Sequence, residues 1–174
     1  KPGRFLIIGS ASPTVIQHGS ETLAGRIAFC ELHPFSLNET EGNYKKLWLR
    51  GGFPDSYLAK NIGNSMSWRQ RFIQTYIQRD VPSLGLVADR TTLRKLLQMI
   101  SNSQGAIVNY SSLSKSLGIS VTTIIRYVEV LEETFVIRKL PSYHTNSKKR
   151  LVKAPKLFIR DSGLLHALWG IDSA

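Results

Sequence analysis

The polar side chains with a chemical task gather in one stretch of this 174-residue chain. From Asn109 to Glu132 it reads Asn-Tyr-Ser-Ser-Leu-Ser-Lys-Ser-Leu-Gly-Ile-Ser-Val-Thr-Thr-Ile-Ile-Arg-Tyr-Val-Glu-Val-Leu-Glu. The chemistry on offer is recognition rather than bond-making. Thr122, Thr123, Arg126 and Tyr127 carry hydroxyls and a guanidinium of the kind that contact base edges and phosphate oxygens. Arg126 is the lone cation of that group, while Glu129, Glu132 and Glu133 repel phosphate. A denser positive stretch follows. Arg138, Lys139, Lys148, Lys149, Arg150, Lys153, Lys156 and Arg160 place eight cations between 138 and 160 with no acid among them. Lys148, Lys149, Arg150 and Lys153 form its centre, suited to salt-sensitive, largely non-specific contact with a phosphate backbone.

These residues need a scaffold, and the spacing supplies one. Asn109 caps a short helix that buries Leu113 and Leu117, Gly118 ends it in a left-handed conformation, and Ser120 caps the next. At 100° per residue, Val121, Ile124, Ile125, Val128 and Leu131 make the buried stripe of that second helix. The opposite face then carries Thr122, Thr123, Arg126, Tyr127 and Val130, with Glu129 at its margin. A strand over 135–143 and a partner over 157–160 enclose the basic segment as a hairpin. Two helices joined by a glycine-containing turn and followed by such a hairpin predict a winged helix-turn-helix over 105–161. Two uses stay open for it: DNA contact through the hairpin, or docking to protein with a solvated basic loop.

Composition narrows the field. A hydrophobic fraction of 42% is enough for a packed core, and a net charge of +11 favours an anionic partner, nucleic acid first. Cys30 is the only cysteine, which rules out an intramolecular disulfide and a cysteine-based metal cluster and fits a reducing, cytoplasmic setting. It sits in an apolar run, where a small core residue is the expected reading. No apolar run is long enough to span a membrane, so no membrane partner is expected. His18, His33, His144 and His166 show no metal-ligand spacing. Asp80 and Asp161 read as element-end carboxylates paired with a nearby arginine rather than as acid–base groups. No phosphate-binding loop of the form GxxxxGK[ST] occurs.

Before the helix-turn-helix, Phe5-Leu-Ile-Ile reads as a strand buried on both faces and Ile27-Ala-Phe-Cys-Glu-Leu as a second, with a polar helical stretch between them. That is one βαβ unit without the sheet it belongs to. The chain opens without Met, and a start inside a larger protein is the expectation. Residues 38–44 read as a loop, 45–50 as a helical turn and Gly51-Gly52-Phe53-Pro54 as a break. Helices are expected over 65–80, ended or bent at Val81-Pro82, after Asp89 with Leu93, Leu96, Leu97 and Ile100 on one face, and over 162–169.

Taken together, eight stretches resemble the prokaryotic AAA-superfamily P-loop ATPases whose C-terminal half is a domain of unknown function. They are Phe5-Leu-Ile-Ile-Gly-Ser10, Thr22-Leu-Ala-Gly-Arg26, Gly51-Gly-Phe-Pro54, Tyr76-Ile-Gln-Arg-Asp-Val81, Leu117-Gly-Ile-Ser120, Leu140-Pro-Ser-Tyr-His144, Lys153-Ala-Pro-Lys-Leu157 and Asp161-Ser-Gly-Leu164. In that family the C-terminal half holds a winged helix and a region likened to restriction nucleases. The resemblance implies a middle-to-C-terminal piece. Ser10 would then face the γ-phosphate and the attacking water as a nucleotide-sensing group, acting by hydrogen bonding. Arg26 would lie near the nucleotide edge or support the fold. ATP and Mg²⁺ would be cofactors of the full-length parent and not of this piece, which would catalyse nothing alone.

The resulting expectation is an α+β, mainly helical chain. Residues 1–37 form a remnant of a P-loop ATPase sheet, 38–104 a helical connector, 105–161 the winged helix, and 162–174 the start of a further domain. The expected function is the DNA-contacting part of an ATP-binding protein, with homo-oligomerisation open. The rivals are a regulatory protein-interaction module of a signalling or antitoxin-like ATPase and a stand-alone transcriptional regulator.

Overall fold

Among the described residues, six helices open on a side chain that accepts a hydrogen bond from the backbone N–H three residues on, the geometry that satisfies an orphan donor of the first turn. The computed structural model describes residues 30–84, 89–143 and 153–173, together with Leu6, Ile8, Gly9 and Ala28. Within these, Asn43 caps α1 (Tyr44–Arg50), Asn61 caps α3 (Ile62–Thr75) and Asp89 caps α4 (Arg90–Asn102). Asn109 caps α5 (Tyr110–Leu117), Ser120 caps α6 (Val121–Glu133) and Asp161 caps α7 (Ser162–Trp169). The short α2 (Pro54–Tyr57) starts instead on proline, whose missing N–H costs nothing at that position. The chain is thus α+β and mainly helical.

The helix that starts at Ile62 runs further than its α-helical part. A π-helical turn, Tyr76–Asp80, follows Thr75, with the Val81 N–H reaching back to the Tyr76 carbonyl, and a last turn, Val81–Ser83, carries it through Pro82. Val81-Pro82 was expected to end or bend this helix. The wider turn absorbs it, because Pro82 takes an early position of the last turn where a donor is not needed.

The sheet is small. β1 (Ile137–Leu140) and β2 (Lys156–Ile159) pair antiparallel, with Ile137 opposite Ile159 and Leu140 opposite Lys156. The link between α4 and α5 adds a third rung on the other edge of β2. Ile107 bridges Lys156, the Gly105 N–H donates to the Leu157 carbonyl at 2.9 Å and the Val108 N–H to the Pro155 carbonyl at 2.9 Å. The Gln104 amide completes that edge, accepting from the Ile159 N–H at 2.9 Å and donating to its carbonyl at 3.2 Å. In chain order this is helix, bridge, helix, helix, strand, strand.

One apolar cluster joins these elements. Leu93, Leu96, Leu97 and Ile100 of α4 pack with Leu113 of α5, Ile124, Val128 and Leu131 of α6, Ile137 and Leu157 of the sheet, and Leu164 of α7. Ile73, Tyr76, Ile77 and Val81 enter the same cluster from the long helix. The expected connector and hairpin regions therefore share a core.

Against it sits a buried polar knot. Asp161 accepts from the Leu164 N–H at 2.9 Å, capping α7, and from the Gly52 N–H at 2.7 Å, fastening the loop after α1. Arg69, with no exposed surface, donates through Nη1 to the carbonyls of Leu49 and Gly163 at 2.9 and 2.8 Å. Burial pushes the Asp161 carboxyl above its ordinary value, opposed by its backbone donors and the Arg69 charge, and the same desolvation lowers Arg69. The expected pairing of Asp161 with an arginine is met here as a near-neighbour charge rather than a contact ion pair. Gly51 has φ +76, and a Cβ there would overlap the Asp161 carboxylate, so both conformation and space demand glycine.

Some expectations fail at the front of the chain. Leu6 and Ile8 were to lie in a strand buried on both faces, yet both are 87% exposed and in no strand. Cys30, expected as a core residue, is exposed. A parallel strand takes its ladder and both apolar contacts from neighbours, and among the described residues none flanks these. Replacing Asp161 with Ala strands two buried N–H donors, at about 1–3 kcal/mol each. Urea unfolding of Asp161→Ala is expected to show a loss of about 3 kcal/mol, and Asp161→Asn a smaller one, because its amide oxygen keeps one bond.

Candidate nucleic-acid interface

The turn between α5 and α6 sets the geometry. Gly118 is left-handed at φ +68, and its N–H returns to the Ser114 carbonyl, closing α5. The Ser114 hydroxyl donates to the Ile119 carbonyl, and Ser120 then opens α6. Leu113 is buried and Leu117 packs against the core, as expected.

The helix that follows is rotated from its expected setting. Its buried residues are Ile124, Tyr127, Val128 and Leu131, so the sector facing the core is centred about 50° round the axis from the expected stripe at 100° per residue. Tyr127 is thereby a core side chain, 6% exposed, and cannot meet DNA. Val121, assigned to the stripe, is exposed at 38%. The cause is amphipathic ambiguity: the Tyr127 ring supplies more apolar area than Val121, and burying the larger group wins. Thr123 is half-buried and its hydroxyl is joined to that of Ser120 at 2.8 Å, so it serves the cap. Thr122 and Arg126 remain exposed as expected, beside Glu129.

The acidic face is weaker than the sequence implies. Glu132 is held by Lys139, with Nζ to Oε2 at 2.8 Å and the Lys139 N–H donating to Oε1 at 3.3 Å. This pair ties the end of α6 to β1 and removes one acid and one cation from the count. Arg160 is also engaged, binding Glu31 and lying over the Phe135 ring. Among the described residues Arg126, Arg138, Lys153 and Lys156 are exposed and form no ion pair. Lys148, Lys149 and Arg150 lie outside the described residues, as do Ser10 and Arg26.

Among the described residues no group of His, Cys, Asp and Glu could hold a metal ion. His166 is buried, its ring edge-on to Trp48 and its Nδ1 3.3 Å from the Leu49 carbonyl. Asp80 is exposed in the π-helical turn. No helix among the described residues is long and apolar enough to cross a membrane. Sequence reading missed Arg69, although its spacing from Met66 and Ile73 places it on the buried face of α3 and was the available signal.

An α+β, mainly helical domain with a turn-linked helix pair and an unpaired basic edge is the class these features define. The family described as a domain of unknown function, DUF8612, matches residues 41–174, and the chain belongs to it. Uncharacterized proteins of Mycobacterium bovis and Mycobacterium tuberculosis are each 39% identical over 172 residues, covering 98% of this chain and 39% of their own length. An uncharacterized protein of Haemophilus influenzae is 24% identical over 178 residues, covering 92% of this chain and 44% of its own. The chain thus spans well under half the length of these relatives. No solved structure matches it.

The reassignment of Tyr127 is testable. Tyr127→Ala is expected to cost about 3–5 kcal/mol in chemical unfolding, while Tyr127→Phe leaves any duplex binding unchanged. A loss of binding in a stably folded Tyr127→Phe variant would return the hydroxyl to the interface.

Proposed function

We propose that this domain is the winged-helix part of a P-loop ATPase and that it holds DNA by the phosphate backbone. The single observation that carries the DNA reading is the arrangement around α6. A helix, a bridge on β2, two turn-linked helices and an antiparallel strand pair follow in the order of a winged helix-turn-helix, and the exposed cations without an ion pair among the described residues include Arg126 on α6, Arg138 on β1 and Lys156 on β2. In this reading α6 is the groove-facing helix, and the segment joining β1 to β2 is the wing. With Tyr127 in the core and Thr123 in the cap, only Thr122 and Arg126 of the expected set are left to contact DNA from α6. Contact is therefore mainly to phosphate, through Arg126, Lys153 and the wing residues Lys148, Lys149 and Arg150.

The ATPase part of the reading rests on the eight family-like stretches and their order. It is compatible with the relatives, in which the matched region occupies 39% of the mycobacterial proteins and leaves length for further domains. Ser10 and Arg26 would meet ATP and Mg²⁺ only in the whole protein. A second reading, a protein-interaction module, is favoured by one observation. Tyr44 and Trp48 of α1 and Trp169 of α7 are exposed aromatics at 62%, 51% and 47%, on helices that pack together.

For DNA, the logarithm of the binding constant is expected to fall linearly with the logarithm of salt, by about 0.9 per phosphate neutralised. Lys148→Glu combined with Lys149→Glu should cut duplex affinity at low salt at least about a hundredfold. Equal binding by that variant in fluorescence anisotropy, or none by the unaltered chain, would sink the reading. Capture of a protein partner that survives nuclease treatment, without duplex binding, would favour the interaction module. For the nucleotide role, Ser10→Ala in the full gene product is expected to lower ATP turnover at least about tenfold while ATP still binds. Unimpaired turnover removes Ser10 from that role.

A further inference from the structure

The outer face of α4 is electrostatically at odds with its own helix. Leu93, Leu96, Leu97 and Ile100 are buried on one side, and Arg90, Thr91, Arg94, Lys95, Gln98 and Asn102 are exposed on the other. Arg90 and Arg94 are four residues apart, so like charges are neighbours on the helix surface, which is unfavourable. All three cations stand in the half of α4 nearer its positive dipole end, also the wrong sign for helix stability. α4 contains no acid, and among the described residues none of the three is in an ion pair. Asp89 offsets them only in part: its carboxylate caps the helix, accepting from the Thr92 N–H at 2.7 Å and the Thr92 hydroxyl at 2.8 Å, and interacts with Lys95 without a contact ion pair, so one acid stands against three cations. The placement weakens the isolated fold, and an anionic partner would relieve it.

The side chains between the cations indicate which anion. Thr91, Gln98 and Asn102 are neutral hydrogen-bonding groups, and no apolar side chain of α4 is exposed. Protein interfaces need an apolar, desolvated centre, which this face lacks. Phosphate backbones are met by Arg and Lys together with Thr, Asn and Gln, which this face supplies. Its length, about 18 Å at 1.5 Å per residue, can follow several consecutive phosphates. We infer that the Arg90, Arg94 and Lys95 face of α4 is a second DNA-backbone contact of this domain, additional to α6 and the hairpin. It rests on the DNA reading above and enlarges the footprint that reading assigns.

The test compares the full chain with the triple variant Arg90→Gln, Arg94→Gln, Lys95→Gln, using a short labelled duplex across a salt series. Removing three phosphate contacts should lower the steepness of the salt dependence by about 2.7, at about 0.9 per contact. Affinity at low salt should fall at least about tenfold. Thermal unfolding is read alongside, because neutralising cations that oppose the dipole should leave the midpoint equal or higher. Weaker binding by an equally stable variant supports the contact, as loss of a purely structural residue would not. Binding by the unaltered chain with the same steepness in the triple variant overturns this inference and leaves the hairpin reading standing. No duplex binding by the unaltered chain overturns both. Retention of an acidic protein partner by α4, lost in the variant and without DNA binding, overturns it in favour of a protein ligand.

Discussion

The fold depends on one buried carboxylate. Asp161 caps α7 and at the same time holds the Gly52 N–H, 109 residues away in sequence, so the start of the domain and its last helix are fixed by a single side chain. Arg69 completes the junction from α3 by gathering the carbonyls of Leu49 and Gly163. A charge in this position is expensive unless its hydrogen bonds are satisfied. The backbone therefore has to come very close: a Cβ on Gly51 would overlap the Asp161 carboxylate, and one on Gly163 would overlap the Arg50–Gly51 backbone. Apolar packing alone would bring α1, α3 and α7 together but would not set their register. The polar knot does.

Local chemistry was the legible part of this structure. Asp89, Asn109 and Ser120 cap helices and Gly118 ends one where their side chains and spacing imply, because capping is decided within four residues. Rotations and long-range pairings were not legible. Tyr127 is amphipathic, and whether it faces in or out depends on what the rest of the fold leaves to be filled. Ile107 forms a bridge to Lys156 in a segment whose own pattern shows no strand, since the pairing is supplied by β2. Arg69 was readable in principle from its spacing, but a charged residue on a core face invites the opposite assignment.

The charges of the domain divide into those that build and those that are left over. Lys139 with Glu132, and Arg160 with Glu31 and Phe135, stitch the strand pair to α6 and to the segment before α1. Arg69 and Arg50 are also structural, donating to backbone carbonyls. Once all of these are set aside, the exposed cations left among the described residues form no ion pair. Isolated surface ion pairs contribute little to stability, so the fold tolerates these unpaired cations, and they keep its surface strongly attractive to polyanions.

The π-helical turn at Tyr76–Asp80 has a consequence for phase. Ile73, Ile77 and Val81 are all buried, at successive steps of four residues. In an α-helix of 3.6 residues per turn each such step overshoots a full turn, and three residues so spaced drift around the axis. A wider turn cancels the overshoot and keeps the three in one line against the core. Gln78, Arg79 and Asp80 are then consecutive exposed residues on the outside of the bulge. The widened turn thus acts as a vernier. With one residue fewer, the bond from the Val81 N–H to the Tyr76 carbonyl would be that of an ordinary α-helical turn, so the bulge is the device by which the helix accommodates one extra residue while Val81 stays in the core.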